Sequence, residues 1–128
     1  MTKSIIINHL NKFDYKYSEQ EEKLIVDLDF SLQIVIDLSV NEKIKISDRL
    51  KRLNFLSWPF EMSIKGSMIY NLIGFLIAFL IFLAIKKYYD NYSLTIIFLS
   101  AIFWNLNWLI YYLIKADNFK KEIINLTK

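Results

Sequence analysis

Few side chains in this sequence have the types and spacing needed for chemistry. The chain of 128 residues has one histidine, His9, and no cysteine, which excludes a thiol nucleophile and a zinc site built on sulfur. Asp27, Asp29 and Asp37 lie at odd positions of an alternating segment, where paired carboxylates can bind a cation or act as an acid/base pair. The same pattern is typical of the solvated face of a half-buried sheet, which we favour. We therefore expect no enzymatic activity, no cofactor and no metal site.

Amide side chains within two long apolar stretches are more informative. Asn105 and Asn107 lie near the middle of Leu94–Ile114, and Asn71 lies near the start of Met68–Ile85. An amide in hydrocarbon is costly unless it is hydrogen-bonded, so each needs a partner. Two residues that are two positions apart point in nearly opposite directions on a helix. One of the two later amides can therefore face the other stretch, while the other faces a second subunit, water or lipid.

Small and polar residues mark further candidate packing positions on these stretches. Gly74 and Ala78 form a small-xxx-small pair, where two helix backbones can approach closely. Ser100 shares a helix face with Asn107. From these positions and the amides we infer a homo-oligomer or a subunit of a membrane complex. The alternative is that both amides form local hydrogen bonds or extend toward the membrane interface.

The two apolar stretches have the length of membrane spans. They contain 18 and 21 residues without a charge, which as helices reach about 27 and 32 Å, close to the ~30 Å hydrocarbon core. The polar connector 86–93 is too short to recross a bilayer, so the spans form an antiparallel hairpin. Two buried helices of a soluble core are the alternative, but the remaining chain has little mass to enclose them. We therefore expect the lipid bilayer to surround both.

The distribution of positive charge predicts the orientation of this hairpin. Eight Lys and Arg residues flank its two outer ends, whereas Lys86 and Lys87 lie in the connector. The positive-inside rule then places both termini in the cytoplasm of a multi-pass protein of the plasma (inner) membrane. Residues 1–66 contain ten basic and ten acidic side chains, so no segment resembles a nucleic-acid-binding surface.

A strand pattern precedes the spans. From Leu24 to Val40 every even position is apolar, which predicts strands with one buried face. A single strand of that length is improbable, so we predict a break near 29–33. A turn over 41–43 would pair Val40 with Ile44 and lead into a third strand. The predicted apolar face comprises Leu28, Phe30, Ile34, Ile36, Leu38, Val40, Ile44 and Ile46.

The N-terminal residues predict two further short strands, Ser4–Asn8 and Phe13–Tyr17. A capping box at Ser18 and Glu21 allows a helical turn over 19–24 as an alternative. The sheet's apolar face requires a cover, since a single small sheet cannot bury itself. A second copy of the chain, residues 48–63 and the membrane surface remain three possible covers.

Basic and aromatic residues between the sheet and the first span predict an interfacial segment. Pro59 ends any helix near Trp58. The alternative is that this segment is an ordinary linker whose apolar residues have no function at the membrane. The candidate anchors in this segment are Arg49, Lys51, Arg52, Trp58, Phe60 and Lys65.

These patterns predict an α+β membrane protein in which a small cytoplasmic antiparallel sheet precedes a two-helix transmembrane hairpin. We divide it into a β-rich module (1–47), a juxtamembrane segment (48–66), the hairpin (67–115) and a basic cytoplasmic tail (116–128). The predicted function is that of a non-enzymatic, membrane-anchored interaction module, whose sheet binds an unknown cytoplasmic protein or a second copy.

The alternative function is an oligomeric pore-forming or membrane-disrupting effector, gated by the cytoplasmic module. In topology, the chain resembles phage holins and membrane effectors of bacterial defence systems, which are also small two-span proteins with cytoplasmic termini. This resemblance is one of topology alone. The pore hypothesis itself rests on Asn105, Asn107 and the small-residue pair Gly74 and Ala78.

Overall fold

The computed structural model describes residues 2–40, 43–88 and 92–127, which form three helices and one four-stranded antiparallel sheet. The α+β class with a small antiparallel sheet is therefore confirmed. In chain order the elements are α1 (Thr2–Lys12), β1 (Lys16–Gln20), β2 (Lys23–Asp27), β3 (Leu32–Asp37), β4 (Lys45–Leu50), α2 (Ile64–Tyr88) and α3 (Tyr92–Thr127).

The sheet is a meander with strand order β1-β2-β3-β4. Leu24 pairs with Ile36 and Val26 with Ile34, and all four side chains are fully buried on one face. The predicted alternation and the predicted break are both confirmed. The break is a 3-10 turn at Asp29–Ser31, where Phe30 adopts a positive φ of 57°. A left-handed conformation is costly for a phenylalanine, so neighbouring contacts must hold this corner.

The register of β3 and β4 differs from the predicted one. The last pair is Asp37 with Lys45, and Ile36 pairs with Ile46. The predicted pairing of Val40 with Ile44 is therefore displaced by two residues. This displacement preserves the buried face, because side chains alternate with a period of two. The predicted turn includes residues 41 and 42, which lie outside the described residues.

Of the two predicted N-terminal strands, Phe13–Tyr17 overlaps β1, which begins three residues later at Lys16, and Ser4–Asn8 is wrong. Residues 4–8 lie within α1, whose Ile6 and Leu10 are fully buried. These two residues are four positions apart and share one helical face, so packing outweighs the strand preference of consecutive isoleucines. The predicted helical turn over 19–24 is also wrong. Gln20 pairs with Lys23 there, and a two-residue turn joins β1 to β2.

Two helices of the same chain cover the apolar face of the sheet. Besides α1, the C-terminal part of α3 packs there, and its Tyr112, Ala116, Phe119 and Ile123 are at most 3% exposed. The segment assigned to a basic tail is thus the end of α3 and supplies part of the core. The main cover of the sheet is therefore none of the three expected ones, which were a second copy, residues 48–63 and the membrane surface. Of residues 48–63, Leu56 joins the core. Each large side chain buried here contributes about 1.5–3 kcal/mol.

Both α2 and α3 are long and apolar enough to cross a membrane. They contain 25 and 36 residues, and their most apolar windows have mean hydropathies of 2.6 and 1.6. None of the residues in these windows is buried within the protein. Both predicted spans lie inside these helices, while residues 89–91 of the predicted connector lie outside the described residues. The apolar part of α3 continues without interruption into the part that packs beneath the sheet.

Candidate functional site

The juxtamembrane segment is a compact loop built around a buried amide. Asn54 is 4% exposed, and its Oδ1 accepts hydrogen bonds from the backbone N–H groups of Leu56 at 2.8 Å and Ser57 at 2.6 Å. Its Nδ2 donates to the carbonyl oxygen of Lys51 at 2.5 Å. A buried amide with satisfied donors and acceptors fixes one loop conformation. Sequence analysis missed this residue, because a single asparagine in a loop carries no periodic signal.

Aromatic side chains join this loop, the corner at Phe30 and α3. The ring of Trp108 lies 5.0 Å from that of Phe30 and stacks at 4.1 Å on Phe55. Tyr112 donates a hydrogen bond from its hydroxyl to the carbonyl oxygen of Phe30 at 2.6 Å and accepts one from the Phe55 N–H at 3.3 Å. These contacts explain how the left-handed corner is held. We call Phe30, Phe55, Trp108 and Tyr112 the aromatic junction.

The amides of α2 and α3 meet where the hairpin joins the loop. Asn105 donates to the Oδ1 of Asn71 at 2.9 Å, and the Nδ2 of Asn71 donates to the carbonyl oxygens of Leu56 at 2.9 Å and Ser67 at 2.8 Å. Asn107 instead donates to the carbonyl oxygen of Phe103 in its own helix at 2.7 Å and is exposed. The two amides thus point in different directions, and Asn105 connects the two helices.

This difference predicts unequal effects of two leucine substitutions. Asn105→Leu removes the donor to Asn71 and is expected to destabilise the protein by about 1–2 kcal/mol. Asn107→Leu removes a local bond on an exposed face and is expected to change stability by less than about 0.5 kcal/mol. Thermal unfolding of both variants in the same detergent measures the difference. Equal losses at the two positions would contradict the assignment of Asn105 to the helix pair.

The structure gives no close packing of α3 on the small residue Gly74. A side chain at Gly74 would meet nothing within 4 Å, so no helix approaches it closely. Gly74 and Ala78 line a shallow outer groove of α2 instead. Ser100 lies with Asn107 on an exposed groove of α3. The structure therefore brings Asn71 and Asn105 together and leaves Gly74, Ser100 and Asn107 exposed, while Ala78 is half-buried.

The candidate anchors surround the base of α2 with a mixture of paired and exposed side chains. Arg49 pairs with Glu61, and Lys51 pairs with Asp27 at 3.1 Å. Trp58 and Phe60 are 61% and 55% exposed. The other two anchors, Arg52 and Lys65, are also exposed.

The residues assigned to the apolar face divide into two groups. Ile34 and Ile36 are fully buried, and Leu28, Leu38, Ile44 and Ile46 are half-buried against the core. Phe30 and Val40 lie outside the strands and are 51% and 59% exposed. The alternating apolar pattern predicted both residues to lie on the sheet, because such a pattern does not indicate where a strand ends.

A polar side chain of β4 connects the sheet to both long helices. Asp48 accepts a hydrogen bond from the backbone N–H of Ile64, the first residue of α2, at 2.9 Å. Its other oxygen accepts one from the Lys120 Nζ of α3 at 2.7 Å. A carboxylate at a helix N-terminus is favoured by the unpaired N–H groups there. Sequence analysis missed this role, since Asp48 and its two partners are far apart in sequence.

Charged side chains gather in a cavity of about 610 Å³ between the sheet edge and α3. Asp27 and Asp29, the candidate carboxylates, both line it, and Lys51 and Lys115 pair with them at 3.1 and 3.7 Å. Asp37 lies elsewhere, in the hairpin of β3 and β4, where it accepts a hydrogen bond from the Ser39 N–H. Among the described residues, no group of three His, Cys, Asp or Glu side chains has an arrangement able to hold a metal ion.

The environment of this cavity changes the acidity of two of its side chains. Burial raises the pKa of Tyr15 above its usual value, and the nearby carboxylate of Glu122 raises it further. Burial alone would raise the pKa of Asp27, but hydrogen bonds from Gln33 and Lys51 outweigh it and hold the pKa below its usual value. Asp27 is therefore ionised and Tyr15 neutral at physiological pH.

His9, on α1, contacts Glu122, one of the residues that line this cavity. Its Nε2 lies 2.5 Å from the Oε1 of Glu122, so the histidine connects α1 to α3.

Comparison with models of known protein families, with curated proteins and with solved structures gives no significant match to this chain.

Proposed function

We propose that this protein is a non-enzymatic, membrane-anchored interaction module, with α2 and α3 crossing the plasma (inner) membrane and the sheet held against its cytoplasmic surface. One observation carries the proposal: α3 runs from an exposed apolar segment directly into the core beneath the sheet. A single continuous helix holds the sheet at a fixed distance and angle from the bilayer. A flexible linker would fix neither the distance nor the angle between the sheet and the bilayer.

Aromatic and basic side chains at the base of the hairpin support this orientation. Trp58, Phe60 and Tyr70 lie at the base of the hairpin, where aromatic rings favour the interface between hydrocarbon and water. Lys115 follows the apolar part of α3 directly, and Lys65 lies in the first turn of α2. Both ends of the hairpin thus carry positive charge on the side of the sheet, as the positive-inside rule requires of a cytoplasmic face.

The opposite face of the sheet is the surface we assign to a partner. The apolar face is occupied by α1 and α3, which removes it as a docking surface. On the other face, Ile25 and Val35 pair across β2 and β3 and are half-buried among polar neighbours. An apolar centre with a polar rim is typical of protein interfaces. An unknown cytoplasmic protein or a second copy is the proposed partner.

Single-cysteine labelling tests the proposed topology, because the chain has no cysteine of its own. Tyr92→Cys, at the start of α3, is expected to react with a membrane-impermeant maleimide in intact cells. Ser47→Cys, an exposed position of β4, is expected to react only after the cells are opened. Labelling of Ser47→Cys in intact cells would overturn the orientation, and release of the protein by alkaline carbonate would overturn membrane insertion.

An oligomeric pore is the second candidate function, and the outward orientation of Asn107 is the observation that favours it. Ser100, Trp104 and Asn107 share an exposed groove on α3, where a second copy could satisfy the amide. In this case Asn107→Leu abolishes depolarisation after induced expression. If the anchor function holds, expression leaves the membrane potential unchanged with or without this substitution.

A further inference from the structure

The outward face of the sheet, opposite α1 and α3, has three rows of side chains that each cross all four strands. The strand registers define these rows, because residues paired on neighbouring strands lie on the same face. Every residue of the central row is exposed or half-buried. We build here on the proposed function, which assigns this face to a partner. The central row consists of Ser18, Ile25, Val35 and Ser47.

The two outer rows carry the charged side chains of this face. They contain four basic and two acidic residues, so the face has a net charge of +2. Charge of one sign around an apolar centre favours a partner of the opposite sign. One outer row consists of Lys16, Asp27, Gln33 and Arg49, and the other of Gln20, Lys23, Asp37 and Lys45.

Both carboxylates of this face already have partners within the chain. Asp27 pairs with Lys51 at 3.1 Å, and Asp37 accepts a hydrogen bond from the Ser39 N–H at 2.9 Å. Three exposed lysines, in contrast, form no ion pair among the described residues, and they lie on both sides of the central row. These lysines are Lys16 in one outer row, and Lys23 and Lys45 in the other.

The short side chains of the central row lie between longer ones, so this face forms a shallow trough. The two outer rows are four positions apart along each strand, which makes the trough about 13 Å wide. Four strands at a spacing of ~4.8 Å make it about 14 Å long. An α-helix is about 10–12 Å across, and about nine of its residues span that length. The trough therefore has the dimensions of a short helical segment.

A helical partner suits this face better than an extended one. The backbone N–H and C=O groups of β2 and β3 pair within the sheet, so they offer nothing to the backbone of an extended peptide lying on it. A helix satisfies its own backbone and needs only side-chain contacts. Ile25 and Val35 provide the apolar part of those contacts.

The charges of the chain's own helices favour a different protein over a second copy. Neither α1 nor α2 contains an acidic residue. In α3, Asp117 pairs with Lys121, and Glu122 is bound by His9. A nucleic acid suits the face less well, because the carboxylates in both outer rows would lie near its phosphates.

We propose that the outward face of the sheet binds an acidic amphipathic helix of a cytoplasmic protein. The apolar stripe of this helix packs on Ile25 and Val35. Aspartate or glutamate residues on both sides of the stripe pair with Lys16 in one outer row, and with Lys23 and Lys45 in the other. A contact of this size is transient, with a Kd expected in the micromolar range.

Fluorescence anisotropy of synthetic peptides, with the full chain in a non-ionic detergent, tests this proposal. The probe is a helical peptide of about fourteen residues with a leucine stripe flanked on both sides by glutamates. Its control has glutamine in place of every glutamate. The glutamate peptide is expected to bind about tenfold more tightly at ~0.1 M salt. Raising the salt to ~1 M should remove this preference, because the screening length falls from about 10 Å to about 3 Å.

Three further ligands define the class of partner. Equal binding of the glutamate and glutamine peptides, or tighter binding of a version with lysines, would overturn the acidic assignment. Equal binding of a version with serines in place of the leucines would overturn the role of Ile25 and Val35. Tighter binding of a single-stranded oligonucleotide would identify a nucleic acid as the ligand instead.

Paired variants locate the binding on this face. Lys23→Gln with Lys45→Gln is expected to remove most of the tenfold preference and to keep the fold, because both side chains are exposed. Lys16→Gln, in the other row, is an independent variant should that pair unfold. The matched control, Lys12→Gln with Lys121→Gln, removes the same charge from exposed positions of α1 and α3. An unchanged preference in the folded variants, or the same loss in the control, would contradict the assignment. Self-association that the first variant abolishes would identify a second copy as the occupant.

Carbonate extraction of membranes separates a failure of this assignment from a failure of membrane anchoring, because peptide binding is measured in detergent. Protein that is extracted and still prefers the glutamate peptide contradicts the anchoring alone. Protein that stays in the membrane but shows no preference among the peptides contradicts the acidic partner alone.

Discussion

Ile123→Asp is expected to unfold the sheet and its covering helices, whereas Ile124→Asp leaves them folded. Ile123 is fully buried in the core, and Ile124 is 46% exposed on the same helix. The buried substitution loses about 3 kcal/mol of apolar burial and also places an unpaired carboxylate in the core. Its total cost is comparable to the free energy of unfolding of a small domain, about 5–15 kcal/mol. The exposed substitution should cost less than about 1 kcal/mol.

Hydrogen exchange of the sheet amides in detergent measures this prediction. In the Ile123→Asp variant, the amides of β2 and β3 should lose their protection. Those of α2 beyond its first turn should retain theirs, because only Ile64 and Ser67, in that first turn, are buried against the rest of the chain. In the Ile124→Asp variant, all of them should keep the protection of the wild type. If residues 116–128 were a solvated tail, both substitutions would be harmless, so protected amides in Ile123→Asp would contradict the observed packing.

The parts of the fold that sequence could predict are those with a local period. Alternation from Leu24 to Val40 identified two strands and the buried face, and uncharged length identified α2 and the start of α3. The break at Phe30 followed from the usual length of a strand. Each of these signals depends on neighbouring residues and a fixed spacing, which is why each was accessible without coordinates.

The parts that sequence could not predict depend on contacts between distant segments. Residues 116–127 contain charged side chains next to Phe119 and Ile123. These two apolar residues are buried only because the sheet lies against this part of α3. The same is true of α1, whose Ile6 and Leu10 become a buried face only when α3 lies beside them. Helix propensity alone would not select a helix over a strand there, because three consecutive isoleucines favour a strand.

The candidate site follows the same division. The need of each amide for a partner, and their opposite directions, followed from helical geometry. Asn105 contacts Asn71 and does not lie near Gly74. This partner depends on how far α2 and α3 are displaced along each other. No spacing within one helix contains that information.

Substitution of Asp48 is expected to separate the hairpin from the sheet. Its carboxylate caps the first turn of α2 and pairs with Lys120 of α3, and the two side chains are only 18% and 29% exposed. Asp48→Ala removes both contacts and leaves the Lys120 ammonium unpaired, at an expected cost of about 3 kcal/mol. Asp48→Asn keeps an acceptor for the Ile64 N–H but loses the charge, and should cost about half as much.

The control for Asp48 is Asp117→Ala, which removes an exposed carboxylate paired with Lys121 and should cost less than about 0.5 kcal/mol. Denaturant unfolding in detergent, followed separately by hydrogen exchange in α2 and in β3, measures the three variants. A sheet and a hairpin joined through Asp48 unfold as one cooperative unit, so in Asp48→Ala the two regions should open at different denaturant concentrations. Coincident opening in that variant would mean that the continuity of α3 alone couples them, and the joint at Asp48 would then be dispensable for holding the module at the membrane.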